Sequence, residues 1–218
     1  RHIFTIPDNW KDREIIIHFG AVKSAFYLWI NGKKVGYSQG SKLPAEFNIT
    51  EYIKEGENIL AAQVHRYSDG SYLEDQDFWR MSGIERDVCL FGVPTAHIYD
   101  FYVRPLLDKT YKNGEFGADV FMANSRGQNS KVEVQMKLYD SKGETIYERV
   151  KPVTASSSEN TSVNFSEQIE NVKTWSAETP NLYTLTITLI ENGKEIQALR
   201  HKVGFRSTEI KDGQFLVN

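Results

Sequence analysis

The chain has 218 residues, 40% of them apolar and 25% charged, with a net charge of −3 at pH 7 and a pI near 6.0. Domains run to roughly 100–200 residues, so this length holds one large domain or two small ones. The charge balance offers no basic field for a nucleic-acid backbone and no long acidic or basic tail, which sets nucleic acid aside as a partner.

Nor does any run approach the roughly 20 apolar residues of a membrane span, and the first residues lack the basic, apolar and small-residue zones of a signal peptide. The opening RHIFTIP reads as a strand with no lead-in. It is expected to lie inside a longer polypeptide, which leaves the compartment open between cytoplasm and periplasm.

EIIIHFG (Glu14 to Gly20) and SAFYLWING (Ser24 to Gly32) are rich in branched and aromatic residues, and Asn31-Gly32 is a two-residue hairpin turn leading into KKVGYSQGS. FNITEYIKEGENILAAQVHRYSD predicts one helical turn capped near Thr50 and then a strand from about Asn58 to Tyr67. RDVCLFGV (Arg86 to Val93) is an apolar run that fits a strand packed on both sides, with the single cysteine, Cys89, as a small buried apolar residue.

Around Pro94 the pattern resets. AHIYDFYVRP, FGADVFMAN, KVEVQMKLYDSKG, ETIYERV, TSVNFSEQI and NLYTLTITLIENGKEIQALRHKVGF supply seven strand candidates. Val132, Val134, Met136 and Leu138 alternate with Glu133, Gln135 and Lys137, and Asn192-Gly193 makes another hairpin turn. Short strands at this spacing are the signature of an immunoglobulin-like sandwich. The Ser-rich KPVTASSSEN (Lys151 to Asn160) is short enough to be a loop within it, and STEIKDGQFLVN predicts a further hairpin.

Within the first half, between the strand ending near Tyr67 and RDVCLFGV, stands SYLEDQDFWRMSGIERDV, from Ser71 to Val88. As a strand it has no apolar face, because alternation puts Asp75 and Asp77 with Leu73 and Trp79, and Glu74 and Gln76 with Tyr72 and Phe78. As a helix it has no apolar stripe, and Asp69-Gly70 reads as a turn rather than a helix start. A loop rich in carboxylates and large rings is a candidate site. Sugars present apolar C–H faces flanked by hydroxyls, and Phe78 and Trp79 beside hydrogen-bond-accepting carboxylates suit them. Rings plugging the end of a sandwich core would have the same composition.

Asp75 and Asp77 also have the spacing of a catalytic pair. Residues two apart on a strand sit roughly 6–7 Å apart, within the roughly 5–9 Å between glycosidase carboxyls. The same spacing serves turn capping, pairing with Arg80 or Arg86, or holding a cation, so it does not choose between them. The helix-loop-helix calcium motif is absent, since Asp69 is followed at once by Gly70, Ser71 and Leu73. A looser oxygen site using Asp69 or Asp77 stays open. His2, His18, His65, His97 and His201 have no metal-ligand spacing, and the chain holds neither a serine-nucleophile elbow nor a phosphate-cradling glycine loop.

SAFYLWINGKKVGYSQGSKLPAEFNIT, GENILAAQVHRYSDGSYLEDQDFWRMSGIERDV and WSAETPNLYTL, ending in VGFR, strongly resemble the large β-galactosidases of glycoside hydrolase family 2 over nearly the whole chain and in the same order. The resemblance implies an all-β fold: a galactose-binding-like jelly-roll sandwich over residues 1–93, lacking its first strands, then an immunoglobulin-like β-sandwich over 94–206. Residues 207–218 would lead into a TIM barrel outside this chain. Retaining hydrolysis of terminal β-D-galactosyl residues would then use two carboxylates of the barrel, with no catalytic residue in the chain itself.

By the same resemblance the LEDQDFW loop reaches the mouth of the barrel. Asp77 binds the galactosyl hydroxyl region and Na+ or K+, with Trp79 beside it on the substrate. Glu74, Asp75, Arg80 and Arg86 shape the loop, the two arginines as partners for its carboxylates. Gln39 and Asp69 match ligands of a structural Mg2+. The implied partners are β-galactosides, the barrel of the same polypeptide, and further copies of it in a homo-oligomer. Two other readings predict different behaviour. A stand-alone carbohydrate-binding module with an immunoglobulin-like spacer would bind galactose without a barrel, and a pair of assembly domains would self-associate with concentration.

Overall fold

The computed structural model describes residues 1–217 except 75, 76, 78 and 80. It divides into two compact units, Arg1–Pro94 and Thr95–Asn218. Each has its own core.

In the first unit, alternation of branched and polar side chains builds two facing antiparallel sheets. One orders β1 (His2–Thr5), β7 (Glu57–His65), β4 (Ala25–Ile30) and β5 (Lys33–Gln39) as β1-β7-β4-β5. The other orders β6 (Ala45–Asn48), β2 (Glu14–Phe19) and β9 (Val88–Val93) as β6-β2-β9. Ile15, Ile17 and Phe19 of β2 and Phe26, Leu28 and Ile30 of β4 point inward and form the core. Each such side chain contributes about 1.5–3 kcal/mol on burial. Tyr27 and Trp29, on the opposite face of β4, are only partly covered. A short ladder pairs β3 (Val22–Lys23) with β8 (Gly83–Ile84), where the acidic loop rejoins the body.

Asn31 and Gly32 take φ of 51° and 81°, the left-handed pair that a two-residue hairpin between twisted strands requires. The next turn, a 3-10 helix over Thr50–Tyr52, is capped differently from the sequence expectation. Asn48 Oδ1 accepts from the Thr50 N–H at 3.0 Å and its hydroxyl at 2.6 Å, while Thr50 Oγ1 accepts from the Ile15 N–H at 2.9 Å. Thr50 thus stitches the turn to β2, and Asn48, one residue before the N-cap position at Ile49, supplies the accepting side chain.

β9 also departs from expectation. It is an edge strand paired only with β2 among the described residues. Leu90 packs on the core, but Val88 and Phe91 are exposed and Cys89 is half-buried opposite His18. An apolar run by itself does not tell a strand covered on both faces from one covered on one. Gly92 is bare because the Trp10 ring lies over it: a Cβ there would stand 2.5 Å from the indole.

In the second unit, one sheet orders β10 (Ala96–Leu107), β11 (Gly114–Asn124) and β14 (Thr161–Ile169) as β10-β11-β14. The other orders β12 (Ser130–Tyr139), β13 (Thr145–Ala155), β15 (Tyr183–Glu191) and β16 (Lys194–Val203) as β13-β12-β15-β16. Val132, Val134, Met136 and Leu138 face inward, as their alternation predicts, and meet Phe116, Phe165 and Phe205. This is an immunoglobulin-like sandwich. β13 runs on through Lys151–Pro152–Val153 to Ala155, so the loop shrinks to residues 156–160. Pro152 is tolerated because β13 lies at the sheet edge, the place where strands accept proline. After the sandwich, β17 (Thr208–Lys211) and β18 (Gln214–Val217) form the predicted hairpin, with Ile210 and Phe215 exposed.

The loop joining β10 to β11 folds around Asp108. Its carboxylate accepts from the hydroxyl of Thr110 at 2.8 Å, the amide Nδ2 of Asn113 at 2.8 Å, and the N–H groups of Thr110, Lys112 and Asn113 at 3.1, 3.2 and 3.3 Å. Partial burial pushes its pKa up, but these donors outweigh that and hold it at about 2 against an ordinary 3.8. A carboxyl depressed in the folded state contributes stability above its unfolded pKa and loses that contribution as pH falls through the folded one. Asp108→Asn is therefore expected to lower the thermal midpoint of this unit near neutral pH, and the gap to the parent should close as pH falls from about 3.8 to 2. Equal midpoints at neutral pH would contradict this account.

Candidate functional site

The candidate loop leaves the body at the end of β7 and is tied down at its base. Ser24 is 1% exposed. Its hydroxyl lies 2.6 Å from that of Ser68 and accepts from that of Ser71 at 3.1 Å. Ser71 Oγ accepts from the Ser68 N–H at 3.0 Å. The knot fixes one helical turn, α1 (Gly70–Leu73), whose start is capped by Asp69 Oδ1 accepting from the Gly70 N–H at 2.9 Å. Asp69-Gly70 therefore does begin a helix, although too short a one to show in the apolar pattern.

Glu74 follows α1. It accepts from the Ser41 backbone N–H at 3.3 Å and from the Ser41 hydroxyl. Beyond Glu74, Asp77 and Trp79 project into solvent, Trp79 86% exposed. The Asp77 carboxylate and the Trp79 indole make no hydrogen bond or ion pair within the described residues, while the Trp79 carbonyl accepts from the Met81 N–H at 3.0 Å. Asp75, Phe78 and Arg80 lie outside the described residues. Arg86 is exposed and pairs with none of the described carboxylates; its Cβ closes against Gly20, where an added Cβ would stand 2.9 Å away. At the far end of the loop, Glu85 pairs with Lys42 instead.

Gln39 and Asp69 stand on a neighbouring patch, the outer face of β4, β5 and β7. The Tyr37 hydroxyl donates to Gln39 Oε1 at 2.7 Å. Burial, then the nearby Asp69 carboxylate and Tyr27, push the Tyr37 phenol pKa above its ordinary value. The Tyr27 ring stacks at 4.8 Å on Tyr37 and meets His65 edge-on at 5.8 Å. His65 Nε2 is buried with no partner among the described residues. No group of three His, Cys, Asp or Glu converges in a metal-holding arrangement among the described residues. Gln39 and Asp69 do not by themselves make a divalent site, which wants about six oxygen ligands.

The sequence pointed to Glu74, Asp77 and Trp79 by composition. It missed Ser24, Ser41, Lys42, Ser68 and Ser71, whose polar side chains are common on any surface. Among the described residues the arrangement presents an exposed carboxylate and an exposed indole, neither side chain paired, on a loop whose two ends are fixed. That is an acceptor for hydroxyl donors beside an apolar plate.

Comparison with known proteins adds the family context. Residues 1–94 match the model for the sugar binding domain of glycosyl hydrolases family 2, and residues 96–206 match a second model of glycosyl hydrolases family 2. The chain is similar to a β-galactosidase of Priestia megaterium, 45% identical over 217 residues, covering 99% of this chain and 21% of that protein. It is also similar to one of Clostridium acetobutylicum, 39% identical, covering 96% of this chain and 22% of that protein. The chain thus spans about a fifth of the length of these curated relatives. Among solved structures, a β-glucuronidase of Bacteroides uniformis superposes with a TM-score of 0.89 at 23% identity, over 100% of this chain and 27% of that one. At that identity the match speaks for the fold alone.

Proposed function

Since the chain belongs to glycosyl hydrolases family 2, we propose that it is the front part of a β-galactosidase, supplying a scaffold and one wall of the substrate site. The exposed Asp77, without a partner among the described residues and on a loop fixed at both ends, carries this reading. In it, Asp77 accepts hydrogen bonds from galactosyl hydroxyls and Trp79 covers an apolar sugar face. Hydrolysis of terminal β-D-galactosyl residues is retaining. One carboxyl protonates the leaving sugar and a second forms the glycosyl-enzyme intermediate. Both come from a part of the enzyme beyond these two sandwiches, so the 218-residue chain by itself has no turnover. Na+ or K+ at Asp77, Mg2+ near Gln39 and Asp69, and assembly into a homo-oligomer belong to this proposal at the level of the whole enzyme.

A stand-alone carbohydrate-binding module is the second reading, favoured by the exposure of Trp79. Titration of the isolated chain with galactose and with glucose, followed by amide shifts in sodium buffer, separates the two. No saturable shift with either sugar is expected if Asp77 needs the rest of the enzyme to complete its site. Saturable shifts around Asp77 and Trp79 with galactose alone would establish the binding module. An aryl β-galactoside turned over by the repurified chain, with a rate that falls in Asp77→Ala, would overturn both.

A further inference from the structure

The turn that follows β5 holds both ends of the candidate loop. Ser41 is 4% exposed, and its hydroxyl and backbone N–H both donate to the Glu74 carboxylate where the loop begins. Its neighbour Lys42 pairs with Glu85 where the loop ends. The turn itself is fixed, with the Leu43 N–H donating to the Gly40 carbonyl at 3.0 Å and Gly40 at φ +117°, which favours glycine. Neither contact is local, for Ser41 and Glu74 are 33 residues apart and Lys42 and Glu85 are 43 apart.

We propose that Ser41 and Lys42 are a clasp that sets where Asp77 stands, and that Ser41 is a positioning residue for galactoside binding. The inference rests on the reading of Asp77 given above. Three residues of chain reach at most about 10 Å, so fixing Glu74 keeps Asp77 within about that distance of the Ser41 turn. The two halves of the clasp are unequal. The Lys42–Glu85 pair is about half exposed on its lysine side (52%), where such pairs are weak and screened. Ser41 donates twice to a carboxylate from a buried position, where the bonds are strong and specific. Without them the loop samples other positions, and the apparent affinity falls by the fraction of time that Asp77 is in place.

The test is kinetic and structural, in the full-length enzyme. Ser41→Ala is expected to raise KM for a β-galactoside about tenfold, since bound substrate has to recover the loop's position, and to change kcat far less. Glu74→Gln, which keeps an acceptor but loses the charge, is expected to fall between Ser41→Ala and the parent. Amide exchange over residues 74–85 should quicken in the same order, a response that loss of packing elsewhere would not confine to this loop. Wild-type KM and wild-type exchange in both variants, with Asp77→Ala impaired, would overturn the clasp and leave the loop's role standing. An Asp77→Ala enzyme with unaltered kinetics would instead remove the reading on which the clasp depends. Quickened exchange with unaltered KM would show a structural latch and overturn Ser41 as a positioning residue.

Discussion

Asn58→Ala is expected to destabilise the first unit by about 3–5 kcal/mol while leaving the second unit unchanged. Asn58 is fully buried, with 0% exposure. Its Nδ2 donates to the carbonyls of Lys54 at 2.9 Å and Gly56 at 3.1 Å, and its Oδ1 accepts from the Lys54 N–H at 2.9 Å and from Asn31 Nδ2 at 2.8 Å. Asn31 in turn donates to the Tyr52 carbonyl at 2.9 Å and accepts from the Ile59 N–H at 2.9 Å. Two amides thus join the β4–β5 turn, the 3-10 turn and the start of β7.

Alanine removes one side chain and strands several partners in places water reaches poorly. Each orphaned group costs about 1–3 kcal/mol. Partial exposure of the turn keeps the total below their sum. Asn58→Asp is a sharper probe, because it keeps the acceptor but turns a second carboxylate oxygen toward two carbonyls, and it should be no milder than alanine. Urea unfolding read separately from amide signals of residues 1–94 and 95–217 measures this. A loss below about 1 kcal/mol in the first unit, or an equal loss in both, would sink the account.

These contacts show what the sequence could and could not reveal. Strands with one covered face, such as β2 and β12, announce themselves because alternation is read directly from the residues. The Asn31-Gly32 and Asn192-Gly193 turns do so because few residues accept positive φ. The all-β class and its two sandwich types follow from those signals and the resemblance. What alternation cannot report is the number of layers over a strand, which is why β9 was expected to be covered on both faces. Nor does Pro152 end a strand that lies at the edge of its sheet. α1 was hidden because a single turn held by a serine knot and an aspartate cap needs no apolar stripe.

The site divides in the same way. Glu74, Asp77 and Trp79 drew notice because charge and ring area are unusual together in a loop. Asn58, Ser24 and Ser41 drew none, since a buried amide or hydroxyl looks like a surface one until its partners, 27 to 47 residues away, are known. The catalytic-pair spacing of Asp75 and Asp77 was a weak signal for the same reason: spacing along a chain does not say what each group faces.

Asp77 itself carries the prediction of largest functional effect. In the full-length enzyme, Asp77→Ala is expected to lower kcat/KM for a β-galactoside roughly 10- to 150-fold, the equivalent of about 1.5–3 kcal/mol for hydrogen bonds to a charged group. Stability should move by no more than about 0.5 kcal/mol, because the side chain is exposed and has no described partner to lose. Asp77→Asn should fall between, since an amide accepts through one oxygen only and without charge. A fall in rate alone does not show that Asp77 touches the sugar, so the decisive form pairs the variant with galactosides that lack one hydroxyl at a time. For the hydroxyl that Asp77 holds, the deoxy substrate costs the parent enzyme most of what the alanine variant has already lost, and the variant loses little more. For every other hydroxyl the two losses add. Additivity at all positions, or kcat/KM within about twofold of the parent, would place Asp77 outside the substrate site.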